Sequence, residues 1–269
     1  MARAVLAHPA MVNALRTVTL SLLVAACGGA ADDGPAPGDV VGAIQIEEAR
    51  LDATTAVATI YASFVDPGEA PRFDDGTCVV RRVPCLGSVG ACGTPPQYSA
   101  GRLDLTGLAQ PVTLVPDAET HAYPWPTNLP PDLFADGATI GVTAAGAAVD
   151  GFTLATTGVT PLVSPYAGAS PGLVPGQPHP LTWTPAADGA RIRFLLNWAD
   201  VCHAGAEWYV ITCEVPDTGA FTIPAAATGA LPATSFGPCG GGLARIRRAT
   251  LADRPISVTV ASADYFGFL

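Results

Sequence analysis

The sequence contains no lysine; all 13 of its basic residues are arginine. Set against 23 acidic residues and a formal net charge of −10, this excludes the broad basic surface that nonspecific binding to nucleic acid or anionic lipid requires. The missing lysines accompany an abundance of Ala, Gly and Pro, the mark of GC-rich bacterial coding, and carry no chemistry of their own. Also missing are a sustained helical period and any apolar run of the roughly 20 residues that a membrane-spanning helix needs. Catalytic signatures are absent too. No G-x-S-x-G occurs, and the nearest string, Gly87-Ser88-Val89-Gly90, has its serine one place early. His203 and Glu207 in HAGAEW lack the H-E-x-x-H spacing of a zinc protease and read as loop residues. The cysteines form no CxxC pair of the structural-zinc kind. Beyond the N-terminal leader only His121, His179 and His203 remain as bases, none in a recognisable motif.

The N-terminal stretch supplies an address. Thr17 to Ala26, TVTLSLLVAA, is ten uncharged residues behind Arg16, the length of a signal-peptide core and too short for a span. Met11 offers a second start with a short basic n-region. The run ends at Val24-Ala25-Ala26-Cys27, which resembles the lipobox of bacterial lipoproteins. That resemblance implies a diacylglycerol on the Cys27 thiol and cleavage before it, giving a membrane partner through the N-terminal lipid. The alternative is an ordinary cleavable signal with Cys27 in a disulfide. Residues 28–39, GGAADDGPAPGD, hold no large apolar side chain and suit a flexible tether. Several acyl chains at about 0.8 kcal/mol per buried CH₂ give stable anchoring. Gly28 after the cysteine, by analogy with other lipoproteins, favours the outer membrane.

Setting Cys27 aside leaves an even set of six: Cys78, Cys85, Cys92, Cys202, Cys213 and Cys239. Export permits their oxidation, and spacing alone allows 15 pairings. Local closure suggests Cys202 with Cys213 and Cys85 with Cys92, leaving Cys78 and Cys239 over.

With 29 Gly and 26 Pro punctuating short β-favouring runs, the chain reads as all-β. Strands are expected at VVGAIQIEEARL, TAVATIYASFV, 77–83, 102–106, 112–115, 139–143 and 152–156. In the second half they fall at LTWTP, ARIRFLLNW, WYVITCEV, GAFTIP, LARIRRATL and PISVTVASA. The Pro-rich stretch from Thr156 to Pro180 contains the best boundary, near Thr160. The expected organisation is a signal peptide over 1–26, a tether over 27–39, and β-sandwich domains over 40–159 and 160–269, immunoglobulin-like or related. Trp183, in an alternating run, reads as core. The aromatic ending SADYFGFL faintly resembles that of outer-membrane barrels, but repeated amphipathic ten-residue strands are lacking.

Arg102 to Leu162, with its PVTLVP, a tyrosine, GATIGVTAAG and a closing FTLATT strand, resembles a pattern in exported lipoproteins of myxobacterial type. LTWTP at 181–185 and TGAFTIP at 218–224 match the same group. The resemblance implies a β-sandwich fold and an envelope address, and it carries no catalytic residue.

Two features could bind something. Asp66, Glu69, Asp74 and Asp75 crowd a turn-rich loop, the oxygen-rich setting of a Ca²⁺ site, although acidic residues are ordinary turn formers. Tyr123 and Trp125 stand among prolines in HAYPWPTNLPP, where a rigid aromatic loop could take a glycan or a partner protein; the competing role is to cap the core. Arg245 and Arg247 point to one face of a strand and Arg248 to the other, a solvated basic face by default. The expectation is therefore a lipid-anchored, non-catalytic surface interaction or structural module whose partner is an envelope protein or glycan. A ligand-binding module, assisted by Ca²⁺ if at all, comes second and a hydrolase third, with no other cofactor and no nucleic acid. Replacing Cys27→Ser should move the protein from the membrane to the soluble fraction and abolish labelling by a radioactive fatty acid; unchanged labelling contradicts the lipid anchor.

Overall fold

Alternating apolar and polar residues give strands with one face buried, and this rule places nearly every element of the chain. The computed structural model describes residues 40–52, 54–66, 70–83, 96–169, 172–199, 208–232 and 237–266. Cys27, the tether, Glu69, Cys85, Cys92, Cys202, His203 and Glu207 lie outside them. The first strands are β1 (Val41–Arg50), β2 (Ala56–Val65), β3 (Phe73–Asp74) and β4 (Cys78–Val83). Then come β5 (Leu103–Thr106), β6 (Val112–Leu114), β7 (Thr139–Ala144) and β8 (Phe152–Thr157). The later strands are β9 (His179–Thr182), β10 (Arg191–Ala199), β11 (Trp208–Pro216) and β12 (Ala220–Ile223). A five-residue helix α1 (Ala225–Gly229) precedes β13 (Gly237–Thr250) and β14 (Ile256–Phe266). No described helix is long and apolar enough to cross a membrane.

The strands form three open sheets. The largest has the order β2-β1-β14-β13-β10-β11-β4-β3; β6-β5-β7-β8 form a second, and β12-β9 a third. All pairings are antiparallel except that of β1 with β14, which runs in parallel from Gly42↔Ile256 to Arg50↔Asp264. The expected boundary near Thr160 does not separate these sheets. Strands β1 to β4 from one side of it and β10, β11, β13 and β14 from the other share one hydrogen-bonded sheet, in which the first long strand docks on the last and β4 docks on β11. The two-sandwich division is thus replaced by one large sheet with two smaller ones laid on it.

Registers carried from strand to strand put Ile46, Val258, Leu243, Phe194 and Ile211 on a common face. Two hydrophobic cores sit there. In one, Ile44, Ile46, Ile60, Phe64, Val258 and Val260 pack against Leu103, Leu105, Ile140, Val142 and Phe152 of the four-stranded sheet. In the other, Phe194, Leu196, Trp198, Ile211 and Leu243 pack against Leu181, Trp183, Ile223 and Ala227 of the two-stranded sheet and α1.

Between the cores the same face turns polar, and the connection from β8 towards β9 crosses it there. Arg245, 1% exposed, donates from Nε to Asp217 (2.7 Å), from Nη1 to the carbonyls of Thr160 (3.1 Å) and Pro161 (2.8 Å), and from Nη2 to that of Thr184 (2.7 Å). Asp217 also accepts from the Trp183 indole and the Ala186 N–H. Directly opposite Arg245 on β14, Ser262 accepts from Leu162 N–H (3.0 Å), and two residues further along Asp264 accepts from the N–H and hydroxyl of Ser164 (2.9 and 2.7 Å). Arg50 grips Asp264 with two N–H groups and reaches the Leu162 carbonyl. The proline-rich stretch is therefore bonded down onto the sheet. Backbone groups of Thr160, Pro161, Leu162 and Ser164 are satisfied by side chains, and Val163 and Gly168 by backbone partners.

Cys78 and Cys213 face each other across β4 and β11 and form a disulfide that is buried at both ends. It links positions 135 apart in sequence, so the local Cys202–Cys213 bridge expected from spacing gives way to one between neighbouring strands. Cys239 is also disulfide-bonded, and Cys78 is not its partner.

Glycine hides part of β13 from the sequence. At Gly241 an added Cβ would stand 2.1 Å from the Leu195 carbonyl, so glycine is what lets β10 approach, next to a register shift at Asn197/Trp198.

Arg245→Met should cost about 3–5 kcal/mol of unfolding free energy, because it strands the Asp217 carboxylate and three carbonyls in a dry seam. Cys78→Ala/Cys213→Ala should cost about 2–5 kcal/mol through the large loop it reopens. Urea denaturation under oxidising conditions checks both, and losses under 1 kcal/mol contradict these roles.

Candidate functional site

β13 is longer than the neighbour it pairs with. Its pairing with β10 ends at Arg191↔Ile246, while Arg247–Thr250 run on beside β14 alone. The missing stretch of β10 leaves a cleft of about 560 Å³ lined by Thr156, Gly189, Arg191, Glu214, Ile246, Arg247, Arg248 and Thr250. Three of the chain's 13 arginines thus line one opening in a protein of net charge −10. Strand alternation explains how they converge: Arg248 and Arg191 share one face of the sheet, while Arg247 comes round from the other beside Thr156.

Each arginine is held in place without using all its N–H groups. Arg248 forks onto Glu214, Nη1 at 3.2 Å and Nη2 at 2.5 Å from the two carboxylate oxygens, and Nε donates to the Thr259 hydroxyl at 3.2 Å. Arg191 spends one N–H on the Glu214 carbonyl at 2.9 Å. Arg247 donates to the Thr157 hydroxyl and the Asp188 carbonyl and stands 3.7 Å from the Asp188 carboxylate. Three guanidinium groups against the carboxylates of Glu214 and Asp188 leave one positive charge. Those carboxylates fix the guanidinium planes, and a guanidinium presents five donors, so N–H groups stay free for a ligand.

Behind the cleft the charges continue inward along the same face. Arg193, directly opposite Glu214 on β11, feels the charges of Glu47, Glu214 and Arg248 and approaches the Glu47 carboxylate to 3.8 Å. Glu47 accepts from Tyr265 and from Gln45. The floor beneath is alanine, Ala244, Ala261 and Ala263, small enough for these long side chains to lie across three strands. Burial pushes the Glu47 carboxyl above its ordinary value, with Arg193, Tyr265 and Gln45 pulling part of the way back. Burial, aided by the negative charge of Glu47, pushes the Tyr265 phenol well up.

Of the residues singled out by sequence, Arg247 and Arg248 line the cleft, and the others that are described lie elsewhere. Tyr123 is buried: it accepts from Ala100 N–H (2.9 Å), donates to the Gly101 carbonyl (2.7 Å) and packs on Phe64. Trp125 is half-buried, edge-on to Tyr61 with ring centroids 5.8 Å apart. Phe64 and Tyr61 are on opposite faces of β2, so this loop wraps the edge of the large sheet rather than presenting two free rings. Asp74 and Asp75 turn oxygens onto their own backbone, at Gly76 N–H and at Thr77 and Cys78 N–H, and Asp66 accepts from the Tyr98 hydroxyl. Among the described residues no three His, Cys, Asp or Glu side chains converge as a metal site would need, and Glu69 lies outside them. Arg245, expected on a solvated face, is the buried clamp of the seam. Arg191 and Glu214 were not anticipated, because only the pairing of β10 with β11 on one side and β13 on the other brings them beside Arg248.

No protein-family model, curated protein or solved structure matches the chain.

The raised Glu47 carboxyl gives a signed pH dependence. The unfolded chain releases this proton first, so the contribution of Glu47 is complete below the ordinary carboxylate value and is lost as pH rises through the folded value. Between about pH 4 and pH 7 the urea midpoint of wild type should fall relative to that of Glu47→Gln. Parallel midpoints over that range contradict the assignment.

Proposed function

We propose that the protein is a lipid-anchored, non-catalytic binding module of the cell envelope, and that its cleft takes the anionic group of a ligand or partner. The observation that carries this reading is the gathering of Arg191, Arg247 and Arg248 around one opening in an otherwise acidic chain. A solvated arginine needs no cleft. These three line a concavity within the roughly 300–1,000 Å³ range of small-molecule sites.

The envelope address rests on the leader and Cys27, and the outer membrane on Gly28. The layered sheets support a β-sandwich in the broad sense, while its immunoglobulin-like character rests on strand spacing. With the acidic loop engaged in its own turns, Ca²⁺ has no part in the reading. Electrostatics sets its logic. The protein's overall field repels anions, so binding depends on the local excess at the cleft and on water being displaced from it, which makes it short-ranged and selective for a small anionic group over a polyanion.

Calorimetric titration of the purified protein at low ionic strength with galacturonate and with inorganic phosphate tests this. At least one should bind to wild type, and Arg191→Ala/Arg248→Ala should weaken it at least tenfold. No binding of either anion, or binding that the double variant leaves unchanged, contradicts the proposal.

A further inference from the structure

We infer that the cleft recognises the carboxylate of an acidic sugar, with Glu214 as a resident carboxylate that occupies part of the ligand's own site. This rests on the reading of the cleft as an anion site and narrows it to one chemical class.

The narrowing comes first from charge. One positive charge remains after Glu214 and Asp188 are set against the three arginines, which matches a carboxylate; a phosphate dianion would leave an excess negative charge in a chain already at −10. Geometry points the same way. Arg248 already holds a planar carboxylate with both terminal nitrogens, the fork-to-fork arrangement that guanidinium and carboxylate share. Recurrent phosphate sites are built from helix N-termini or Gly-rich backbone nests, and no helix begins among the residues lining this cleft.

Size and lining define the rest of the ligand. At about 560 Å³ the cleft is far larger than a bare ion, since a water molecule takes about 30 Å³ of liquid volume. The remaining wall, among the described residues, is Thr156, Thr250 and Gly189, with Ile246 as its one large apolar residue. Such a wall suits a neutral body dense in hydroxyl groups and disfavours a fatty or aromatic acid. A carboxylate on a polyhydroxylated ring, a uronate residue of a saccharide, satisfies both halves.

Glu214 then acts as a competitor. Its carboxylate neutralises Arg248 when the cleft is free, and the incoming carboxylate must share the guanidinium groups with it. Removing that charge, with the shape retained, should strengthen binding.

The test is calorimetric titration of wild type, Arg191→Ala, Arg248→Ala and Glu214→Gln with a galacturonate trisaccharide, a neutral galactose trisaccharide and inorganic phosphate, with near-ultraviolet circular dichroism as the folding control. The inference expects the uronate to bind at least tenfold tighter than the neutral sugar and than phosphate. It expects at least tenfold weakening in either arginine variant and several-fold strengthening in Glu214→Gln, which stays informative if an arginine variant fails to fold. Phosphate binding tighter than the uronate overturns the sugar-acid assignment and leaves the anion cleft standing. Equal binding of acidic and neutral sugars, or weaker binding by Glu214→Gln, also overturns the assignment. Binding of neither anion removes both readings together.

Discussion

The Arg245–Asp217 ion pair holds together parts of the chain that have no other reason to meet. Arg245 stands on β13 in the middle of the large sheet, Asp217 in the turn leaving β11, and the carbonyls that share the guanidinium come from the crossing strap and the end of β9. A buried ion pair is costly to desolvate and is weak evidence of net stability by itself. Its value here is geometric. Four hydrogen bonds from one rigid guanidinium satisfy a carboxylate and three backbone carbonyls at once, which a lysine ammonium with three donors on a flexible stem does not reproduce. The seam separates two apolar cores on one face and still carries the connection between them without leaving backbone groups dry and unpaired.

From the seam outward the fold follows. The four-stranded layer is tethered at the end of β8, where Arg247 reaches the Thr157 hydroxyl, and the two-stranded layer at Trp183 and Thr184. The cleft sits at the margin of the same region, where β10 starts too late to cover the last residues of β13. Arg245 and Arg247 share a face and Arg248 takes the opposite one, so a single short run, ARIRRAT, supplies both the structural clamp and two walls of the cleft.

The local order was readable from the sequence, since alternation and turn residues located every strand but the two-residue β3. What alternation cannot say is which strand pairs with which. The parallel docking of β1 on β14 joins the two ends of the fold, and no local pattern announces it, so the proline-rich stretch looked like a boundary when it is a bonded strap. Cys213 was paired by spacing with Cys202, whereas Cys78 meets it only once β4 lies beside β11. The expected strand LARIRRATL leaves out the Gly-rich start of β13, since glycine has no strand preference; the role of Gly241 is to let β10 come close. The split of the arginines between faces was legible from their spacing. The burial of Arg245 was not, because it depends on four distant groups arriving at one point, and the cleft stayed invisible for the same reason: Arg191 and Glu214 lie far from Arg248 in sequence.

The shared sheet requires the strap to be part of one fold rather than a hinge between two. Hydrogen exchange at the amides of Leu162 and Ser164, which donate to Ser262 and Asp264, measures this directly. Bonded to the centre of the sheet, these amides should exchange as slowly as those of β13 and β14, through the same global opening. Fast exchange at both, with the strands still protected, would make residues 157–164 a free linker and contradict the shared sheet as the basis of the structure.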